Sequence, residues 1–312
     1  MNPALPSLLS DALARLLDGV PRRELATAAA SMSAGYRAGA TSKAIVTPAD
    51  ALAYAVARMP ATYAACAAVF ARLAEVMPDF APASLLDVGA GTGAASWAAQ
   101  TQWPGVRAIL LDHNPALRNL ARKLAEAGLD AEILSGDLGA DKPQADLVVA
   151  SYVLAEFPQA SAAATARHLW ASGASVLVLI EPGTPDGFAR IRAARAALIE
   201  DGAHVAAPCT HDNVCPMTGD DWCHFSQRLP RSRDHMLLKG ASVPFEDERY
   251  SYVAVTGQKV AQGARILAPV LETKPGLTFK LCDETGLRAA FVAARDKDET
   301  RRLRKSGWGD LF

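Results

Sequence analysis

The sequence predicts an α/β fold: a doubly wound sheet with an N-terminal helical region and a cysteine-rich metal-binding insertion. Three observations predict it. From Ser84 onward, short apolar runs alternate with helical periods, which is the pattern of a parallel sheet covered on both faces. The first run ends in Gly89-Ala90-Gly91-Thr92-Gly93, a turn too tight for side chains between a strand and a helix, the usual setting of a nucleotide. Three of the five cysteines crowd into Cys209 to Cys223, inside a long stretch with no period.

Composition bounds the function. The 312 residues suffice for one large domain or two modest ones, and with half of them hydrophobic a substantial core is available. The formal net charge is −1, so no global field draws the chain to nucleic acid, no DNA partner is expected, and any RNA site must be a local basic patch. No apolar run approaches the roughly 20 residues that span a bilayer, so no membrane partner is expected. Asp11 and Asp18 beside Arg15 suit neither a secretory signal nor an acid-poor transit peptide, and a cytoplasmic location is expected.

Residues 1–80 read as helical. Leu8, Ala12, Leu16 and Leu17 share one face of a first helix. Pro21-Arg22-Arg23-Glu24 opens a second. Ser31 to Thr47, with Tyr36 and Arg37 inside it, reads as a loop. Thr47-Pro48-Ala49-Asp50 is an N-cap signal for a helix through Arg58. Met59-Pro60 breaks it, and Ala61 to Met77 forms another, with Cys66 as a small core hydrophobe.

Residues 81–201 form the nucleotide-binding core. Strands are expected at 84–88, 107–112, 131–135, 146–150 and 175–181, and helices at 94–102, 115–127, 158–170 and 186–201. Residues 202–249 form the insertion, where periodicity stops among three cysteines, four histidines and several prolines. A stretch so irregular needs an external reason to be ordered. Residues 250–312 are expected to complete the sheet with strands at Tyr250 to Val255 and Ala289 to Ala294. They add a hairpin over Gly263 to Cys282, turning at Lys274-Pro275-Gly276, and a basic tail.

The Gly-rich turn alone also fits a dinucleotide site. Asp87 separates the two readings. A carboxylate two residues before the first glycine repels a pyrophosphate and attracts the ammonium of a sulfonium donor. The pattern Asp-x-Gly-x-Gly-x-Gly resembles the first motif of class I S-adenosylmethionine (SAM) methyltransferases. On that reading Asp87, Gly89, Gly91 and Gly93 hold the methionine end. Asp112, ending the second strand, accepts from ribose hydroxyls, its alternative role being a helix N-cap. Asp137 lies at the adenine, its alternative being a turn aspartate. Ser151 follows the fourth strand, where the methyl would be. Amine methyltransferases often carry Asp/Asn-Pro-Pro-aromatic there; this chain has Ser151-Tyr152-Val153-Leu154-Ala155-Glu156, with no evident base besides Glu156 or Tyr152. Binding SAM is therefore better supported than transferring its methyl.

Cys209, Cys215 and Cys223 stand at a spacing of C-x5-C-x7-C, which no common zinc finger uses. Three thiolates need a fourth ligand, and Cys282 is the remaining cysteine a loop could supply. Four cysteines suit a [4Fe–4S] cluster or an all-thiolate zinc site; His211 and His224 keep a mixed zinc site open. Cys209 follows Pro208, as cysteines that attack pyrimidine C6 do, but it lies beyond the fifth strand, and a thiolate tied up on a metal attacks poorly.

With both signals in hand, the chain resembles the methyltransferase-like small-ribosomal-subunit assembly proteins, known from mitochondria and bacteria. The matching stretches are Arg58-Met59-Pro60-Ala61-Thr62-Tyr63-Ala64-Ala65, Leu86 to Gly93, Ile180-Glu181-Pro182-Gly183-Thr184-Pro185, the cysteine spacing, Tyr250-Ser251-Tyr252-Val253 and Trp308-Gly309-Asp310. The resemblance implies a SAM-type fold that binds the small subunit or its rRNA, and a [4Fe–4S] cluster on Cys209, Cys215, Cys223 and Cys282. Without an obvious targeting extension, a bacterial cytoplasmic form is expected. Arg228, Arg231 and Arg233, then Arg301, Arg302, Arg304 and Lys305 beside a stacking Trp308, are the candidate RNA contacts. The functional expectation is a SAM-dependent rRNA methyltransferase or methyltransferase-like assembly factor. A catalytically silent RNA-binding factor is the alternative, and an NAD-linked iron–sulfur oxidoreductase the third reading.

Overall fold

The computed structural model describes residues 3–37, 41–139, 143–260 and 263–312. Four helices come first: α1 (Ser7–Leu17), α2 (Arg22–Arg37), α3 (Pro48–Ala57) and α4 (Met59–Val76). The loop expected from Ser31 is helical as far as Arg37, because a run of alanines carries α2 through Gly35; residues 38–40 lie outside the described residues. The buried face of α1 is Leu9, Ala12, Leu13 and Leu17, while Leu8 is exposed, so the apolar stripe is rotated from the expected one. Thr47 caps α3 as expected, in a box with Asp50: the threonine oxygen accepts the Asp50 N–H and the carboxylate accepts the Thr47 N–H.

The core follows in alternation: β1 (Ser84–Val88), α5 (Ala94–Gln102), β2 (Arg107–Asp112), α6 (Pro115–Ala125), β3 (Ala131–Ser135), β4 (Leu147–Ser151), α7 (Ala162–Trp170), β5 (Val176–Pro182) and α8 (Pro185–Glu200). Beyond it lie β6 (His204–Ala207), β7 (Phe225–Pro230), α9 (Arg233–Lys239), β8 (Phe245–Thr256), β9 (Arg265–Ile266), β10 (Leu271–Thr273), β11 (Gly276–Asp283), β12 (Gly286–Ala293) and α10 (Lys297–Leu303).

The main sheet runs β3-β2-β1-β4-β5-β8-β6, with β7 also on β8. Strands β1 to β5 are parallel; β8 enters antiparallel between β5 and β6. This is the class I methyltransferase arrangement, and the antiparallel β8 separates it from the dinucleotide fold with its classic parallel order. One edge of β8 pairs with β5 from Tyr250 to Thr256, and the other with β6 at one end and β7 at the other. The irregular segment 208–224 is the crossing between β6 and β7 along that edge. The stretch 202–249 thus contains two strands and a helix, and its irregularity is confined to the cysteine loop.

Alternate residues of β1 enter opposite layers. Leu85 packs in the layer holding α4 and α5, and Leu86 and Val88 in the layer holding α7 and α8. The strand expected at Ala289 to Ala294 is β12, but it belongs to a second, four-stranded antiparallel sheet with β9, β10 and β11, around a core of Ile266, Leu277, Phe279 and Leu281. The expected hairpin turns where predicted, Thr273 pairing with Gly276. Among the described residues no single helix is long and apolar enough to cross a membrane.

Candidate functional site

A cavity of about 430 Å³ opens at the carboxyl ends of the parallel strands, a volume typical of sites for small molecules. Gly89 and Gly91 after β1, Asp112 at the end of β2, Asp137 after β3 and Ser151 at the end of β4 all line it. Gly89 has φ +68°, and a Cβ there would stand 2.5 Å from Val153 Cγ2, so only glycine gives the turn this shape.

Asp112 accepts the Gly91 N–H at 2.7 Å on one carboxylate oxygen and the Asn114 N–H at 2.7 Å on the other. The N-cap of α6 is Asn114, whose Oδ1 accepts from Ala116 and Leu117. This leaves Asp112 for the cavity. The Asn114 amide also donates to the carbonyls of Ser42 and Ile45, fixing the segment before α3 over the site. Asp137 takes the Gly139 N–H at 2.8 Å, so it is a turn aspartate that also faces the cavity.

Asp87 and Gly93 do not line the cavity. Asp87 is fully buried; its Oδ2 accepts from the Ser96 hydroxyl at 2.8 Å and the Ser96 N–H at 3.2 Å. Strand parity is the reason: Asp87 shares the face of Leu85, toward α5, whereas Val88 reaches the cavity. Burial pushes the Asp87 carboxyl up to about 7 against the opposing bonds from Ser96. Its placement corrects the expectation that it meets an ammonium directly; it ties β1 to the start of α5.

Sequence reading missed the far wall. Tyr54 and Arg58, one turn apart on and just after α3, line the cavity. The Arg58 guanidinium lies 3.4 Å from Glu248 on β8 and 5.9 Å from the centre of the Tyr152 ring. The Tyr152 hydroxyl donates to Glu248 at 2.7 Å. Tyr152 holds φ +62°, the one such non-glycine among the described residues, a strained conformation of the kind that clusters at functional sites. Burial, then the Glu248 charge, raises its phenol well above the ordinary tyrosine range. Glu156 accepts from the Ser42 N–H at 3.1 Å and hydroxyl at 2.9 Å. Both residues offered as bases are thus engaged. Behind them Glu181 accepts the Leu154 N–H at 2.7 Å and shapes the loop after β4; burial outweighs that bond and pushes its carboxyl up to about 8.

A second, narrow cavity is lined by Cys209, Cys215, Cys223 and Cys282 together. Cys209 and Cys215 come from the loop after β6, Cys223 from the residues before β7, and Cys282 from β11. Burial pushes the thiols of Cys209, Cys223 and Cys282 up, that of Cys282 to about 12, and the neighbouring cysteines push Cys223 and Cys282 further. Among the described residues no three His, Cys, Asp or Glu side chains are grouped closely enough to hold one metal ion. The cysteines share a lining without converging on a point. Arg195 of α8, Arg265 of β9 and Tyr252 of β8 line the same cavity. Arg195 Nε, Arg265 Nη2 and the Tyr252 hydroxyl are buried without a hydrogen-bond partner there. His211 Nε2 lies 3.5 Å from Cys282 Sγ. His224 lies between the rings of Trp222 and Trp308, at 5.1 and 4.9 Å.

Four of the seven basic residues in the two runs have acidic partners. Arg228 pairs with Asp247 at 2.8 Å and Arg231 with Glu246 at 3.1 Å. Arg301 and Arg302 pair with Asp298 and Glu299 one turn away. Trp308 packs on His224, with a buried ring nitrogen, so it is not a free stacking platform.

The family described as mitochondrial small ribosomal subunit Rsm22 matches residues 48–312. The chain belongs to this family. The human mitochondrial ribosome assembly protein METTL17 is 29% identical over 287 residues, covering 84% of this chain and 62% of that protein. The mitochondrial Rsm22-cox11 tandem protein 2 of Schizosaccharomyces pombe is 27% identical over 321 residues, covering 84% of this chain and 43% of that protein. The chain spans about half the length of these Rsm22-family relatives. Among solved structures, the magnesium protoporphyrin IX methyltransferase ChlM of Synechocystis with bound SAM has a TM-score of 0.44 at 17% identity, covering 64% of this chain and 80% of that one. The mitochondrial relatives overturn the cytoplasmic location expected above. The acidic residues behind that expectation, Asp11 and Asp18, are exposed on and just after α1, a folded helix, and do not report on address.

Proposed function

We propose that this Rsm22-family chain is a methyltransferase-like assembly factor of the small ribosomal subunit. In this reading it holds SAM in the large cavity and carries a [4Fe–4S] cluster on Cys209, Cys215, Cys223 and Cys282. The observation that carries the reading is the cavity at the carboxyl ends of the strands, lined by Gly89 and Gly91 of the turn and bordered by Asp112. Asp112 has lone pairs left for ribose hydroxyls after its two backbone bonds. Gly89 and Gly91 let a ligand lie against the backbone. SAM, when bound, supplies an electrophilic methyl on a sulfonium. The entry of β8 antiparallel favours SAM over the NAD reading.

The cysteine cavity fits an inorganic centre by its donor set: four thiols, apolar neighbours, and unpaired N–H and O–H groups facing no acceptor. A cluster there would brace the segment 208–224, which otherwise crosses the edge of β8 with few backbone bonds. Ligands spread around a cavity rather than grouped at one point favour a cluster over a single zinc ion.

One observation favours a catalytically silent form. Tyr152 and Glu248 are bonded to each other, with Arg58 beside them, and Glu156 is bonded to Ser42, so the groups placed to take a proton after β4 are occupied. The small subunit is the proposed partner, on the strength of the relatives' names, and its rRNA is the contact proposed within it. The test is to incubate the chain with methyl-tritiated SAM and immature small-subunit particles, then sediment. Co-sedimentation with label on the RNA supports a methyltransferase, co-sedimentation without label the silent factor, and failure to co-sediment overturns the assembly reading.

A further inference from the structure

The cysteine cavity has a second set of residues that the ligand count does not use. Arg195 is 5% exposed and Arg265 is 0% exposed. Two buried guanidiniums at one small cavity are costly unless something anionic meets them. Arg195 spends one nitrogen on the His211 carbonyl at 2.6 Å. Arg265 is clamped by the carbonyls of Pro208 and Gly309, each at 2.9 Å, and lies 3.6 Å from Glu75. Each keeps one buried N–H without an acceptor, and the Tyr252 hydroxyl is a third such donor. Arg265 is met only in part by Glu75, and Arg195, which also interacts with Asp212 and with the Cys209 thiol, still keeps a buried Nε–H with no partner.

A cluster with four thiolates has a net charge of about −2 in its oxidised form, from four anionic ligands on a [4Fe–4S]2+ core. Its sulfurs accept hydrogen bonds, and such bonds, with local charge, set its potential. The donors here come from three elements, α8, β8 and β9, and packing or carbonyl bonds fix the two arginines before any ligand arrives.

We propose that Arg195, Arg265 and Tyr252 form a cationic, hydrogen-bonding shell that balances the cluster's charge, retains it, and raises its reduction potential. They are positioning residues that act through the cluster. This inference rests on the cluster reading above. It also accounts for the unpaired donors, which the four cysteines alone do not explain.

The experiment uses the full chain purified without oxygen. Iron and sulfide are measured first. The reduction potential is then followed by electron paramagnetic resonance during dithionite titration, and iron loss by transfer to a chelator. The variants are Tyr252→Phe, which removes only an oxygen, Arg195→Gln, and Arg195→Lys as the conservative partner. The expected result is a more negative potential and several-fold faster iron loss in Tyr252→Phe and Arg195→Gln, with Arg195→Lys recovering part of both. A wild-type protein that holds the cluster, with variants matching it in potential and iron loss, overturns the shell alone. A wild-type protein without iron and sulfide overturns the cluster reading, and the shell with it.

Discussion

Asp112 and Gly91 are joined by a 2.7 Å hydrogen bond from the Gly91 N–H to the carboxylate. The bond fastens the end of β2 to the Gly-rich turn after β1, so one carboxylate both shapes the turn and faces the cavity. Replacing Asp112 by Ala is expected to weaken SAM binding about 10- to 100-fold, the range for charged hydrogen bonds lost from a site. Isothermal calorimetry of the two proteins checks it; equal affinities would remove Asp112 from the site.

Gly89→Ala is expected to cost about 1–3 kcal/mol, because φ is positive and the new Cβ meets Val153. Gly219 also has positive φ but open space around it, so Gly219→Ala is expected to cost less, about 1 kcal/mol from backbone strain alone. Urea unfolding midpoints of both variants decide it. Equal losses would mean the Val153 contact yields freely.

Asp87 gives a pH dependence with a definite sign. Its folded pKa, raised to about 7 by burial, lies above the ordinary 3.8. The folded state therefore holds the proton more tightly, and this contribution is fully present below about 4 and is lost as pH rises through about 7. Asp87→Asn keeps an acceptor for Ser96 and has no charge to bury. The stability of wild type relative to this variant is expected to fall between those limits and level off above them. Denaturation of both proteins across the range checks it, and a flat difference would contradict a buried acid.

Glu156 latches Ser42 across the mouth of the large cavity. Glu156→Ala is expected to speed hydrogen exchange of the Ser42 amide by about tenfold, since a single charged hydrogen bond contributes about 1.5 kcal/mol or more. The β1 amides serve as an unchanged internal reference. No change at Ser42 would mean that Asn114 alone holds the segment.

Much of this was legible in the sequence, for physical reasons. The apolar runs of β1 to β5 and the Gly-rich turn carry their own period, and Thr47 with Asp50 spells out a helix start. Asp112, Asp137 and Ser151 follow from the rule that ligands sit beyond strand ends. Asp87 did not follow, because a motif does not say which layer a strand residue enters. The face of α1 differed at two positions, Leu9 and Leu13 being buried where Leu8 and Leu16 were expected, because leucines on both sides of the stripe give nearly equal periodicity. Arg58, Tyr152 and Glu248 were invisible as a group, because they come from the α3–α4 junction, the residue after β4 and the distant β8, which meet only in the folded chain. Four of the seven basic residues in the two runs read as free until their acidic partners were seen, and the carboxylates on and after the first helix were no guide to compartment.

The most direct test of the central claim is a calorimetric titration of the wild-type chain with SAM, with NAD titrated in parallel. The expected result is saturable, one-to-one binding of SAM and no measurable heat from NAD. Binding of NAD in preference to SAM, or no binding of SAM, would contradict it.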